Sequence, residues 1–355
     1  MKSNWRWLFI ALLVMVLAAC VPVGAALGPQ VQVTRVPLQL TPSVYGLGST
    51  LSAPLLPPGS EGTPVAASTP SAPADQQAAA LRPLQSTLNI LLLGTDERDL
   101  KALGNTDTIM VLAIDQQTGR AALISFPRDL YIPVPGIGHS RINIAYPFGE
   151  ERQAGGGLPL LMGAIERNFG IPLEKYVRID FSGFQQVIDA LGGVDVTVDC
   201  DLTDELMPRY FAVETLAAGE YHMSGVQALY YARSRKTTDD FDRSRRQQRV
   251  LVAVRNRVLE ANLIPRIPDL WKATQNVMDT NLSPAQIIEL AQLGATLDAK
   301  DLRGLVIREP LVAPWITSQG GYVLLPDMPA INSALDNIWQ RAPIQQTSTA
   351  DKLCP

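Results

Sequence analysis

Histidine and cysteine are scarce in this chain. Among 355 residues there are two histidines, His139 and His222, and three cysteines, so a serine–histidine triad or a multi-histidine metal centre has almost no material. Neither a CxxC pair nor a GxxxxGK[ST] loop occurs, which sets aside structural zinc and P-loop nucleotide binding. A large charge of either sign is also missing. Thirty basic against 34 acidic residues leave a net charge of -4, which offers no general attraction to nucleic acid. There is no internal repeat.

What is present begins with an export layout. Lys2 and Arg6 precede an apolar run from Trp7 to Ala19, as in a signal segment. The run ends Leu-Ala-Ala-Cys, which resembles a bacterial lipobox with Cys20 as the acylated residue. The apolar character resumes past Pro22, so an uncleaved anchor of roughly 20 residues is the competing reading. Residues 1–28 are therefore expected to be a lipoprotein signal or membrane anchor. The chain is expected to act outside the cytoplasm, tethered to the outer face of the cytoplasmic membrane. That compartment holds no DNA, and it permits a disulfide between the two remaining cysteines, Cys200 and Cys354.

Residues 29–86 are rich in Pro, Ser, Ala and Gly with little charge and no periodicity. They read as a disordered tether, about 40 Å from end to end by coil statistics. Residues 87–345 carry the folded pattern, and 346–355 form a tail. "LNILLLGTD" predicts a buried strand at 88–93, and "DTIMVLAIDQQTGRAALISF" predicts a hairpin turning at Gly119. Helices are predicted at 158–169, 182–191, 224–232, 243–260, 283–293 and 330–339, and strands at 176–180, 194–199, 302–307 and 321–325. This alternation implies an α/β fold, a layered αβα architecture around a central mixed sheet.

The short connection between the first two strands leaves no room for a crossover helix. Asp96 and Asp107 therefore lie at one edge of the sheet, and the hairpin returns the third strand to deliver Arg128 there. Two carboxylates at one edge suit a hard cation such as Mg2+, which shares its shell with phosphates. A second basic concentration, "YYARSRKTTDDFDRSRRQQRVLVAVRNRVLE", opens a helix that Asp240 or Asp242 could cap. Its Arg243, Arg246 and Gln247 share a face with Val250 and Val254. Arginines at a helix N-terminus oppose the macrodipole, so either local acids offset them or a phosphate binds there.

The ordered motifs "LLLGTDER", "NTDTIMV", "SFPRDLYIPVPG", "RINIAY", "YYARSR" and "DFDRSRRQQRVL" resemble the LytR-CpsA-Psr (LCP) family of cell-envelope proteins. The resemblance covers residues 88–259 and implies one LCP-like domain. It implies an Mg2+-dependent phosphotransferase moving a glycopolymer from a polyprenyl-pyrophosphate carrier to peptidoglycan or another cell-wall acceptor, with pyrophosphatase as a side activity. On matching positions, Asp96 and Asp107 would place the metal. Arg128, Arg141, Arg233, Arg235, Arg243 and Gln247 would hold the pyrophosphate, with Arg128 and Arg243 counted as catalytic beside the two aspartates. Two positions depart from the family pattern: Asn105 stands where arginine is common, and Arg141 where lysine is familiar. A non-catalytic envelope factor that binds such precursors, or a transcriptional attenuator, is the alternative. A polyprenyl carrier also needs an apolar slot; Leu158, Leu161, Met162, Ile165 and Phe169 form an apolar helical stripe, read here as core.

Overall fold

In the computed structural model the described residues are 83–96, 106–234, 240–266, 268, 270–271 and 277–344. Six strands build the central sheet: β1 (Leu88–Thr95), β2 (Thr106–Asp115), β3 (Arg120–Phe126), β4 (Lys175–Ile179), β5 (Met278–Thr280) and β6 (Leu302–Val306). Their spatial order is β5-β4-β1-β2-β3-β6. The three central strands are antiparallel neighbours, while β4 joins β1 and β6 joins β3 in parallel. Mixed pairing follows from the connections, because a tight turn can only make an antiparallel pair and the parallel pairs need long crossovers. Gly119 takes φ +68° in the β2–β3 turn, while the Asp115 carboxylate accepts from the N–H groups of Gln117 and Thr118.

The continuous apolar runs of β1 to β3 are explained by burial on both faces. Ile90 and Leu92 of β1 face one cluster with Met110, Leu112 and Val177. Leu91 and Leu93, pointing the other way, join Ile109, Val111 and Ile124. Each fully buried Leu, Ile or Val stabilises the fold by about 1.5 to 3 kcal/mol relative to exposure.

Among the described residues the longer helices that cover the faces are α1 (Ala145–Arg152), α2 (Gly157–Phe169), α3 (Phe181–Ala190), α4 (Gly225–Arg233), α5 (Asp240–Glu260), α6 (Pro284–Gly294) and α7 (Met328–Asp336), and a short helical turn, Met207–Phe211, adds Met207 to the Ile90 side. The first two and α7 pack on the Leu91 face, while α3 to α6 pack on the Ile90 face. The stripe Leu158, Leu161, Ile165 and Phe169 of α2 is buried in the core, as its spacing predicts. Gly170 ends that helix in the left-handed region, φ 66°, donating to the Glu166 carbonyl, a conformation that disfavours a side chain.

Several elements differ from expectation. The predicted strand at 194–199 forms as Val194–Val198 but pairs with Gly219–Met223 in a separate ribbon. The Pro/Gly-rich segment after Arg128 is also a ribbon, Tyr131–Val134 against Gly138–Arg141. Asp240 and Asp242 lie inside the first turn of α5 rather than before it. Packed structure reaches back into the expected tether, since Pro83–Gln85 forms a 3-10 turn with Leu84 buried and its carbonyl accepting from Asn89. All described residues belong to one compact unit. Among them no helix is long and apolar enough to cross a membrane; the expected signal or anchor and the C-terminal tail lie outside the described residues.

Candidate functional site

The site is built where β1, β2 and β3 end together. Gly94 stands opposite Thr108 and Thr95 opposite Thr106, so Asp107 is the extra residue of a β-bulge. A bulge breaks the two-residue alternation and re-aims the side chain it carries. Gly94 permits the close approach, because a Cβ there would meet the Thr108 Cβ at 2.9 Å. The re-aimed Asp107 carboxylate accepts from Arg128, Nη1 to Oδ1, at 2.7 Å. Arg128 lies two residues past the end of β3.

Two more acids surround Arg128. Its Nε lies 3.5 Å from Asp129 and 4.0 Å from Asp240. Helix α5 supplies the second guanidinium: Arg243, only 4% exposed, donates through Nη2 to the Asp107 carbonyl at 3.0 Å and to Asp240 at 2.9 Å. Arg141 completes the row, 3.4 Å from Asp129. Burial alone would lower the Arg128 pKa, but the hydrogen bond it donates to Asp107 and the charges of Asp107, Asp240 and Asp129 raise it overall. The guanidinium is therefore always charged and held in place before any ligand arrives. Its Nε is buried and makes no hydrogen bond among the described residues, the Asp129 and Asp240 carboxylates standing 3.5 and 4.0 Å away as ion-pair partners.

Directly beside this cluster a cleft of about 790 Å3, open mouth included, runs under the Ile90 face. Its walls are chiefly apolar, among them Met110, Val177, Phe184, Leu229, Val250 and Leu251. Thr95, Thr108, Arg233 and Gln247 supply polar groups to the same cleft. The Arg233 guanidinium stacks 3.9 Å above the Phe181 ring, which fixes a charge without removing it from solvent. This cleft and the α2 stripe lie on opposite faces of the sheet.

The structure thus gathers Asp107, Arg128, Arg141 and Arg243 into one network and sets Arg233 and Gln247 in the adjoining cleft. Asp96 is exposed, one residue beyond β1. Arg235 and Asn105 lie outside the described residues, as do Cys20 and Cys354; Cys200 is disulfide-bonded. Arg246, on the Arg243 face, serves the fold instead, donating to the carbonyls of Tyr231 and Ser234 at the end of α4. Asp129 escaped sequence reading as a site residue. Its only signal was its place directly after Arg128, which said nothing of Arg141 folding back to the same carboxylate.

A charged clamp joined to an apolar cleft suits an amphiphile with an anionic head, and the three-layer fold supplies both from one sheet edge. The model of the LytR_cpsA_psr family matches residues 62–336, and the chain belongs to that family. The polyisoprenyl-teichoic acid–peptidoglycan teichoic acid transferase TagU of Oceanobacillus iheyensis is 34% identical over 200 residues, 56% of this chain and 60% of the relative. That of Bacillus cereus strain AH820 is 33% identical over 207 residues, 57% of this chain and 63% of the relative. The chain therefore matches about 60% of the length of these curated relatives. Among solved structures, B. subtilis TagV is 26% identical with a TM-score of 0.59, covering 73% of this chain and 99% of that one. B. subtilis TagT, 24% identical with a TM-score of 0.54 over 74% and 95%, shares the fold.

Proposed function

We propose that this chain is an extracytoplasmic phosphotransferase that moves a glycopolymer from a polyprenyl-pyrophosphate carrier to a hydroxyl of peptidoglycan or another cell-wall acceptor. The observation that carries this reading is the junction of the Asp107–Arg128–Asp240–Arg243 network with the apolar cleft: one binds a pyrophosphate, the other the hydrocarbon attached to it. The names of the TagU relatives support the same reaction class.

Arg128 and Arg243 hold the pyrophosphate oxygens, while Arg233 and Gln247 meet it where the lipid enters the cleft. The acceptor oxygen attacks the sugar-linked phosphorus and forms the new P–O bond. The bond to the bridging oxygen breaks, polyprenyl phosphate leaves with the electron pair, and the hydroxyl proton passes to a carboxylate of the site. Charge spread over the phosphoryl oxygens is met by guanidiniums already fixed by Asp107, Asp129 and Asp240, so little reorganisation opposes the step. Water in place of the acceptor hydroxyl gives pyrophosphate hydrolysis as the side activity.

Magnesium fits this donor set only in part. Among the described residues no group of three or more His, Cys, Asp or Glu could hold a metal. Hard oxygen ligands at a shared edge remain, and Mg2+ commonly takes one or two carboxylates together with substrate phosphates. Asp107 and Asp96 would hold it, and it would supply charge neutralisation at the phosphates. At the N-terminus Cys20 would carry the lipid tether.

The deciding experiment incubates the full chain in detergent with a short polyprenyl-pyrophosphate-linked sugar, a cell-wall acceptor and Mg2+. Formation of a phosphodiester between sugar and acceptor is expected. Binding of donor without transfer, across several donors and acceptors, would overturn the enzymatic reading in favour of a precursor-binding envelope factor.

A further inference from the structure

Two ribbons outside the central sheet form a surface that the lipid cleft and the phosphate clamp leave unused. Tyr131–Val134 pairs with Gly138–Arg141, and Val312–Ile316 pairs with Tyr322–Pro326. Their inner residues Ile132, Val134, Val312 and Leu324 are buried in the core on the Leu91 face of the sheet. The ribbons are bridged at Leu130 and Leu324, and the Leu324 N–H donates to the Asp129 carbonyl at 2.9 Å. The second ribbon is thereby fastened to a residue of the arginine–aspartate cluster.

The outer side of these ribbons is aromatic. Trp315 is 44% exposed, and Ile316, which alternates to the other face of the strand, 57%; His139 is exposed, and Tyr131 lies half-buried between His139 and Trp315. The Tyr131 ring centroid lies 6.1 Å from Trp315 and 5.8 Å from His139, so the three rings form one continuous surface. Tyr131 is the cross-strand partner of Arg141. The surface therefore runs without a break into the charged cluster.

A scattered exposed aromatic is ordinary; the position of this group relative to the reaction is not. Phosphoryl transfer holds the attacking and leaving oxygens roughly in line, on opposite sides of phosphorus. The leaving group is the lipid phosphate, and the cleft that takes its chain lies on the Ile90 face. An attacking hydroxyl then arrives from the Leu91 face, where the ribbons stand. An acceptor glycan offers flat C–H faces edged with hydroxyls. Rings that combine an apolar body with an indole N–H, a phenol or an imidazole match both. A bilayer surface would also accept Trp and Ile, but the cleft for the membrane-derived chain is on the other side of the sheet.

We propose that the Tyr131–His139–Trp315 surface binds the glycan of the acceptor and presents its hydroxyl to the phosphorus. This rests on the transferase reading above. The test uses the full chain in detergent, with Trp315→Ala and His139→Ala as variants and Trp315→Tyr as the conservative rescue. A soluble peptidoglycan glycan-strand fragment is titrated without donor, and acceptor and donor KM are measured in the transfer reaction. The fragment Kd and the acceptor KM are expected to rise roughly three- to tenfold in Trp315→Ala, the range for loss of one aromatic contact. Donor KM and the rate at saturating acceptor stay unchanged, and Trp315→Tyr restores most of the affinity. Wild-type affinity in both alanine variants would overturn the proposal while leaving the transferase reading intact. Conversely, Trp315-dependent glycan binding by a protein that never transfers would sustain the surface and sink the enzyme. In full chain reconstituted into vesicles, a component of tryptophan quenching by brominated phospholipid that is present in wild type and lost in Trp315→Ala would reassign the patch to the membrane and also overturn the proposal.

Discussion

Arg243→Ala removes a guanidinium that is 4% exposed and holds the Asp107 carbonyl and the Asp240 carboxylate at 3.0 and 2.9 Å. Deleting one partner of a buried ion pair costs about 3 to 5 kcal/mol. Asp240 keeps a quarter of its side chain in solvent, so water takes back part of that loss. The bond to the Asp107 carbonyl adds about 1 kcal/mol. A net loss of about 2 to 4 kcal/mol is expected, roughly 5 to 15 °C in melting temperature for a domain of this size. An ordinary domain stability of about 5 to 15 kcal/mol leaves most of that range still folded at 25 °C.

The loss in rate is of another order. A guanidinium that stabilises transition-state charge on a transferring phosphoryl group is worth about 10^3 to 10^5 in turnover. Transfer rates measured at 25 °C, with the melting midpoint recorded in parallel, separate the two losses. Asp240→Asn provides the comparison, because it weakens the same ion pair while leaving the guanidinium in place; it should lose stability but stay within about tenfold of the wild-type rate. If folded Arg243→Ala also transfers within tenfold of wild type, Arg243 is a strut between α5 and β2 and the argument for a clamp at this position fails.

Leu251→Trp places an indole in the apolar cleft and should raise KM for long-chain polyprenyl donors by roughly tenfold, while a donor with a short prenyl stub reacts normally; equal effects on both donors would remove the cleft from lipid binding. Burial pushes the Tyr231 phenol up from 10.0 to about 12. The folded state keeps that proton after the unfolded chain has lost it, so the contribution is complete below about pH 10 and disappears as pH rises through about 12. Urea midpoints from pH 9 to 12 should therefore fall less steeply for Tyr231→Phe than for wild type, and parallel slopes would contradict the assignment. Cys200→Ser should lower stability by about 2 to 4 kcal/mol in protein exported under oxidising conditions, and an unchanged denaturation midpoint would show that the Cys200 disulfide adds nothing.

Much of the layer order was legible in sequence, because β1 to β3 are apolar runs too short for buried helices, Gly119 marks the β2–β3 turn and Gly170 the end of α2. Topology from those elements alone brought Asp107 and Arg128 to one sheet edge, since no crossover fits between β1 and β2. The α2 stripe at Leu158, Leu161, Ile165 and Phe169 was likewise readable as core. The ribbon after Arg128 was not, because its Pro and Gly content reads as a loop, and its neighbour Leu130 bridges to Leu324 nearly two hundred residues away.

Tertiary structure decided what local pattern cannot carry. The bulge that turns Asp107 toward Arg128 arises from a register shift between two strands, and register belongs to the pair rather than to either sequence. Arg243 and Arg246 sit on one helical face with the same side chain, yet one reaches the Asp107–Asp240 pair and the other closes the end of α4, because each meets a different neighbour. The cleft lies under α3, α4 and α5 for the same reason: side-chain period tells which residues share a face, but only packing tells which face is left partly open beside the charges.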